Sequence, residues 1–183
     1  GEVRTFLARK PSDLKIDCVT FSGSGEPTLH RSIGALLRGV KAIAGVPVVL
    51  ITNSVSLVEA SVRHDIQTAD IIIPSLDAVT QDIFERIDRP VAGLRVEKVI
   101  NALASLRREF KGQIWLEVML VRGINDAPEY LEKIREVVGR IRPDRVQINV
   151  PVRPPAESWV KPPTVSTLRA ARKIFGSDCD VVV

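Results

Sequence analysis

The chain has 183 residues and a net charge of +4, from 26 Lys and Arg against 22 Asp and Glu. That length fits one domain with a sizeable core, and 45% hydrophobic with 26% charged residues is ordinary for an α/β protein. The mild charge with no dense basic run demands no anionic partner, 4% aromatics argue against a base-stacking platform, and no run reads as a membrane span or signal peptide, so a cytoplasmic location is expected.

In chain order, residues 2–9 read as a helix end halted by Pro11. Residues 16–21 form a short apolar, β-branched run of strand length. Ser22-Gly23-Ser24-Gly25 then removes side-chain bulk, so the backbone turns sharply and a ligand can approach it closely. Glu26 sits at the tip, and Pro27 suits the first turn of a helix running to Ala44. A carboxylate at the end of a buried strand calls for a cationic partner; the plainer reading is that Glu26 caps the helix. A second buried strand, 46–51, ends at Thr52-Asn53-Ser54, and a short helix follows over 56–66. The third strand, 69–73, is closed by Pro74-Ser75-Leu76-Asp77 and followed by a helix over 80–87 that Arg89-Pro90 breaks.

A longer amphipathic helix is expected over 94–110, then a fourth strand over 114–120 that ends at Val121-Arg122-Gly123-Ile124-Asn125-Asp126. Asp126 is placed to cap the helix 128–140. A fifth strand over 145–150 leads into a Pro-rich stretch, and Thr164 or Ser166 caps a last helix ending at Phe175, before a strand start at 181–183. Strands apolar on both faces that alternate with helices imply a parallel sheet of right-handed βαβ units, open or barrel-like. Each strand is followed by polar residues: Glu26, Asn53, Ser75 with Asp77, Arg122 with Asn125, and Asn149 with Arg153. Those ends share one rim, where such folds bind ligands.

Ser75 and Asp77 project to the same side of an extended segment and suit the hydroxyls of a ribose; otherwise Asp77 caps the next helix. Glu117 alternates with apolar neighbours and, if inward, needs Arg122 or another cation. Arg122, Asn125 and Arg153 offer donors to a carboxylate or phosphate, or staple loops. His30 and His64 are isolated, Trp115 and Trp159 read as packing residues, and Cys18, inside a strand, reads as a buried free thiol.

Gly23-Ser24-Gly25-Glu26-Pro27 directly after an apolar strand resembles the Gly-Gly-Glu-Pro signature of radical S-adenosylmethionine (radical SAM) enzymes, with Ser24 in place of the second glycine. The resemblance spreads over 21–30, 71–77, 87–90, 116–126 and 147–155 and is similar to the branch of wyosine-base tRNA-modifying synthetases. It implies an α/β fold that is a partial (β/α)6 TIM-like barrel of parallel strands, here as a single radical SAM core domain over 1–183. It also implies that Gly23, Ser24, Gly25 and Glu26 hold the methionine end of S-adenosylmethionine, and that Ser75 and Asp77 hold its ribose. Thr52-Asn53 matches the family's Thr-Asn-Gly-like turn, with Ser54 where the glycine stands, which adds Asn53 to the implied cofactor set.

The family binds its 4Fe–4S cluster through Cys-x3-Cys-x2-Cys upstream of the glycine-rich turn, and this sequence holds only Cys18 and Cys179. The cluster ligands are therefore absent from this chain. The expectation is a radical SAM body without its first strand and cysteine loop, inactive alone. Implied partners are an external electron donor and a substrate such as tRNA or another nucleotide, with no membrane; an exposed edge at 16–21 invites association. Two readings stand against it. A non-catalytic nucleotide- or protein-binding barrel is one. An unrelated lyase or aldolase using Glu26 and Asp77 is the other, for which no strand-end Lys or metal cluster is seen.

Overall fold

The computed structural model describes residues 2–11 and 13–182; Gly1, Ser12 and Val183, the last of the expected strand 181–183, lie outside the described residues. Among the described residues six strands form one sheet in the order of the sequence: β1 (Val19–Phe21), β2 (Val48–Thr52), β3 (Ile71–Pro74), β4 (Gln113–Met119), β5 (Arg145–Asn149) and β6 (Cys179–Val182). All five pairings are parallel. Ahead of β1 lies α1 (Glu2–Arg9), and helices fill the connections: α2 (Ile33–Ala44), α3 (Ala60–Asp65), α4 (Gln81–Ile87), α5 (Val96–Glu109), α6 (Pro128–Ile141) and α7 (Val165–Phe175). A strand order that never reverses, with right-handed crossovers, puts every crossover helix on the same face of the sheet. The result is an open, partial barrel of the TIM type rather than a doubly wound sheet.

Apolar spacing explains the helix faces. In α5, Val96, Val99, Ile100, Leu103 and Leu106 recur at helical intervals and are buried, while Arg107 and Arg108 close the last turn. In α6, Pro128 opens the helix and Leu131, Ile134, Val137 and Ile141 make its buried stripe. These stripes pack on alternate strand residues such as Ile72, Ile114, Leu116, Val118 and Ile148, which form one core with them. The intervening residues, Ile73, Ser75, Trp115, Glu117 and Gln147, are half-buried on the concave face. Glu117 is thus inward, as its alternation indicates.

Several boundaries move for definite reasons. β1 is only three residues long because its partner strand is preceded by Pro47, whose carbonyl accepts from Val19 N–H (2.9 Å) but which has no N–H to continue the ladder. Cys18 therefore lies outside the strand and is exposed, not buried; the buried thiol is Cys179. The helix behind Pro27 is split: a 3-10 turn, Pro27–Leu29, ends at His30, and α2 starts at Ile33. The helix expected over 56–66 is likewise a 3-10 turn, Val55–Val58, followed by α3. Asp126 does not cap α6, whose N-cap is Ala127; its Oδ1 accepts from Gly123 N–H (2.7 Å) and closes the preceding turn.

Beside the outer edge of β1, α1 leaves an apolar cleft of about 550 Å3 bounded by Val3, Phe6, Ile16 and Val19. Among the described residues no strand pairs with that edge. Among the described residues no helix is long and apolar enough to cross a membrane.

Candidate functional site

The strand ends converge on one rim, and Glu26 is its most heavily bonded acid. Its Oε1 accepts from Thr28 N–H (3.1 Å), the Thr28 hydroxyl (2.5 Å) and the Thr52 hydroxyl (2.6 Å), and its Oε2 accepts from Asn53 N–H (2.8 Å). Ser56 Oγ contacts the Thr28 hydroxyl in turn. The expected cationic partner is not there: four neutral donors replace it, and both sequence readings meet in one residue, since Glu26 also caps the turn Pro27–Leu29. Hydrogen bonding disperses the charge without neutralising it, and Oε2, with a single donor, keeps acceptor capacity.

Ser54 occupies the left-handed region (φ 70°, ψ −14°), the conformation a glycine adopts freely. This explains the glycine in the turn that Thr52-Asn53-Ser54 resembles. Ser54 is fully buried, and its hydroxyl donates to Ser75 O (2.7 Å), tying β2 to the end of β3. The Asn53 side chain folds back to accept from Val55 N–H (3.1 Å), so it is the main chain of Asn53 that reaches Glu26. Gly23 and Gly25 line a cleft of about 210 Å3 together with Glu26, Asn53 and Ser75. A Cβ on Gly25 would meet nothing within 4 Å, so Gly25 leaves open space, whereas one on Gly23 would touch Gly25 O at 3.8 Å. Ser24 is exposed beside them.

Pro74 supplies no N–H to β4, and the β3–β4 ladder stops at Ile72↔Ile114 before resuming in a single bridge, Ser75↔Glu117. Beyond it, Ser75 Oγ lies 3.4 Å from Glu117 Oε1, and Asp77 Oδ1 accepts from Met119 N–H (2.8 Å). Asp77 does not cap α4, whose N-cap is Thr80. Burial, and then the nearby charge of Asp88 ahead of that of Glu117, push the Asp77 carboxyl up to about 8 against the pull of the Met119 N–H. At neutral pH it is a hydrogen-bond donor as well as an acceptor.

Arg122 does not reach Glu117. Its N–H and Nε donate to Lys161 O (2.9 Å) and Pro162 O (2.8 Å), holding the segment after β5 across the rim. On that segment Glu157 pairs with Arg89 (2.7 Å) and Trp159 lies under the Arg86 guanidinium, 5.2 Å from its ring centre. Trp115 similarly lies under Arg145 (5.2 Å). Both tryptophans are therefore stacking partners of arginine. Asn125 is a loop staple, fully buried, with no side-chain donor left for a ligand. The sequence reading missed Thr28, whose β-branched hydroxyl two residues after Glu26 was the available signal, and it set Ser54 aside although its neighbours marked a turn.

A partial parallel barrel with glycines, hydroxyls and under-compensated carboxylates at the C-terminal strand ends is a ligand-binding α/β fold of the enzyme type. The Radical SAM superfamily matches residues 8–150, and the chain belongs to it; members use S-adenosylmethionine and a 4Fe–4S cluster. A protein of Brachyspira hyodysenteriae named GTPase Obg is 40% identical over 92% of this chain and 25% of its own length. A UPF0026 protein of Methanocaldococcus jannaschii is 30% identical over 91% of this chain and 51% of its own. The chain spans a quarter to a half of these relatives. In fold it is similar to TYW1 with a lysine–pyruvate adduct bound, at a TM-score of 0.69 and 20% identity over 95% of this chain and 57% of that one.

The residues present fit S-adenosylmethionine, which carries an ammonium and a sulfonium: Glu26 Oε2 accepts a single hydrogen bond, and the Gly25 side has room. They do not fit the cluster. Cys18 precedes β1 and Cys179 begins β6, the opposite edges of the sheet, and among the described residues no group of three metal-ligating side chains occurs.

Proposed function

We propose that the rim binds S-adenosylmethionine as the core of a cytoplasmic radical SAM enzyme acting on a nucleotide or tRNA. The methionine end lies against Gly23, Ser24, Gly25 and Glu26 with Asn53, and the ribose lies against Ser75 and Asp77. With a cluster held outside this chain and an external electron donor, S-adenosylmethionine would supply 5′-deoxyadenosyl radical chemistry for hydrogen abstraction. This chain's own share is to hold, orient and keep water from the ligand. The carrying observation is the Glu26 carboxylate, clamped through Oε1 by three donors while Oε2 accepts one. A clamped anion with spare acceptor capacity is pre-organised for an ammonium. Arg86, Arg89 and Arg122, with Trp159, supply cations and a ring beside the rim for a phosphate-bearing substrate. With no cluster ligands of its own, the chain is inactive in isolation, and anaerobic reconstitution should leave it without iron; about four irons per chain would contradict this.

Calorimetric titration with S-adenosylmethionine tests the placement. Glu26→Gln should bind roughly 30-fold more weakly, about 2 kcal/mol, and Ser24→Ala should lose less. Unchanged binding by Glu26→Gln alongside its abolition by Asp77→Asn would make the turn structural and the methionine end misplaced.

A further inference from the structure

The Asn125 side chain uses every polar atom it has. Its Oδ1 accepts from Val121 N–H (2.7 Å), and its Nδ2 donates to the main-chain oxygens of Asp77 (2.8 Å) and Met119 (2.8 Å). Those two residues are the pair already joined by the Met119 N–H and Asp77 Oδ1. A single carboxamide, 0% exposed, thus closes a ring around the bond that orients the Asp77 carboxyl. It does so where the β-ladder cannot: past the Ser75↔Glu117 bridge, β3 and β4 have no register pair, and Leu76 N–H to Glu117 O (2.9 Å) is their last main-chain bond. Without Asn125 the strand ends would be free to part, and the Met119 N–H would leave Asp77.

We infer that Asn125 is a positioning residue for Asp77: it does not touch the ligand, but sets the spacing of the β3 and β4 ends and so the direction in which Asp77 presents its second oxygen. The inference rests on the reading of Asp77 as the ribose ligand. It also gives the turn at 121–126 a second consequence. Arg122, three residues earlier in that turn, holds the segment at Lys161 and Pro162, so the cofactor side and the substrate side of the rim are referenced to one rigid turn.

The test is a cycle between Asn125→Asp and Asp77→Asn, titrated with S-adenosylhomocysteine and with its 2′-deoxy analogue. Asn125→Asp keeps the size and the acceptor for Val121 N–H but replaces the two donors with an oxygen facing two carbonyls. It should weaken S-adenosylhomocysteine binding about tenfold in the unsubstituted background and no more than about twofold beside Asp77→Asn. It should also narrow the preference for ribose over 2′-deoxyribose and raise hydrogen exchange at the Met119 amide. Equal weakening in both backgrounds, or an intact ribose preference, overturns the inference. An Asp77→Asn chain that binds as the parent does rejects the ribose reading instead, and no binding by the parent rejects both. If Asn125→Asp does not fold, the unsubstituted chain still decides: on ligand titration, the Asn125 side-chain amide and Met119 N–H resonances should shift together. An Asn125 amide that stays fixed while Met119 N–H moves overturns the inference.

Discussion

The two ends of the sheet treat carboxylates in opposite ways. At the N-terminal end, Asp70 accepts from Val48 N–H (2.8 Å) and pairs with Lys41, and Asp144 accepts from Ile114 N–H (2.7 Å) and pairs with Arg107 (2.6 Å). Each acid there caps the neighbouring strand and has its own cation. At the C-terminal end, among the described residues, none of Glu26, Asp77 and Glu117 is in an ion pair; amides and hydroxyls hold them. Leaving acids uncompensated costs stability, so that end is arranged for something other than holding the sheet together. The glycines divide in the same way. Gly112, below, is packed against Asp70 O and Phe110, whereas Gly25, above, faces open space.

The largest expected effect comes from that last contrast. A Cβ on Gly112 would lie 2.4 Å from Asp70 O and 2.5 Å from Phe110 Cζ, main chain and a fully buried ring that cannot give way. Gly112→Ala should lose about 3 kcal/mol of stability in urea denaturation. Gly25→Ala should stay within about 0.5 kcal/mol and instead weaken S-adenosylmethionine binding. Equal stability losses at the two sites would erase the distinction.

Next come the acids, with opposite signs. Asp77 holds its proton up to about 8 when folded, while the unfolded chain releases it near the ordinary carboxylate value. The folded state therefore binds more protons between those pH values, and this group's contribution to stability falls as pH rises from about 4 to about 8 and is flat beyond. Asp77→Asn should remove that slope and stabilise the ligand-free chain at pH 9 by about 2 kcal/mol, discounted for residual solvent contact. For Asp70, burial works against the Lys41 and Val48 N–H bonds that hold the carboxyl below its ordinary value. Its contribution is present above the unfolded value and lost as pH falls through the lowered one. Asp70→Asn should destabilise by about 0.5–1 kcal/mol at pH 7. Urea midpoints at pH 5, 7 and 9 read both, and a destabilised Asp77→Asn at pH 9 would break the comparison.

The sequence carried the elements well where apolar spacing is long and regular, as in α5, α6 and β4, because burial fixes both period and face. It carried the rim too, since polar residues fall at once after each strand. It failed where a contact far along the chain decides. Nothing near Glu26 announces that Thr52 and Asn53, 26 and 27 residues on, supply neutral donors in place of a cation. Nothing near Asn125 announces Asp77, 48 residues back. The exposure of Cys18 depends on Pro47, just ahead of the neighbouring strand, and the loss of the Asp126 cap depends on Gly123 turning the chain at φ 69°.

The smallest effects come from two left-handed residues, one at each end of the sheet. Arg142 (φ 56°) ends α6 on the lower side and is exposed; the Arg142 N–H to Val138 O bond (2.7 Å) belongs to the main chain and survives any side chain. Arg142→Gly removes left-handed strain of about 1 kcal/mol and adds some entropy to the unfolded chain, for a net gain of about 0.5 kcal/mol. Ser54 (φ 70°) sits on the upper side, and Ser54→Gly relieves the same strain. That change also deletes the hydroxyl bond to Ser75 O (2.7 Å) in a fully buried setting, at a cost of about 1 kcal/mol. Set against the same net gain of about 0.5 kcal/mol, this leaves Ser54→Gly about 0.5 kcal/mol less stable, so its urea midpoint should fall slightly below that of the parent while Arg142→Gly moves upward. The hydroxyl then fixes Ser75 as well as contributing a little to the fold, and the ribose affinity of Ser54→Gly should fall by more than that small loss of stability accounts for. A Ser54→Gly chain stabilised as much as Arg142→Gly, with ribose affinity intact, would show that the upper turn is held by its backbone alone.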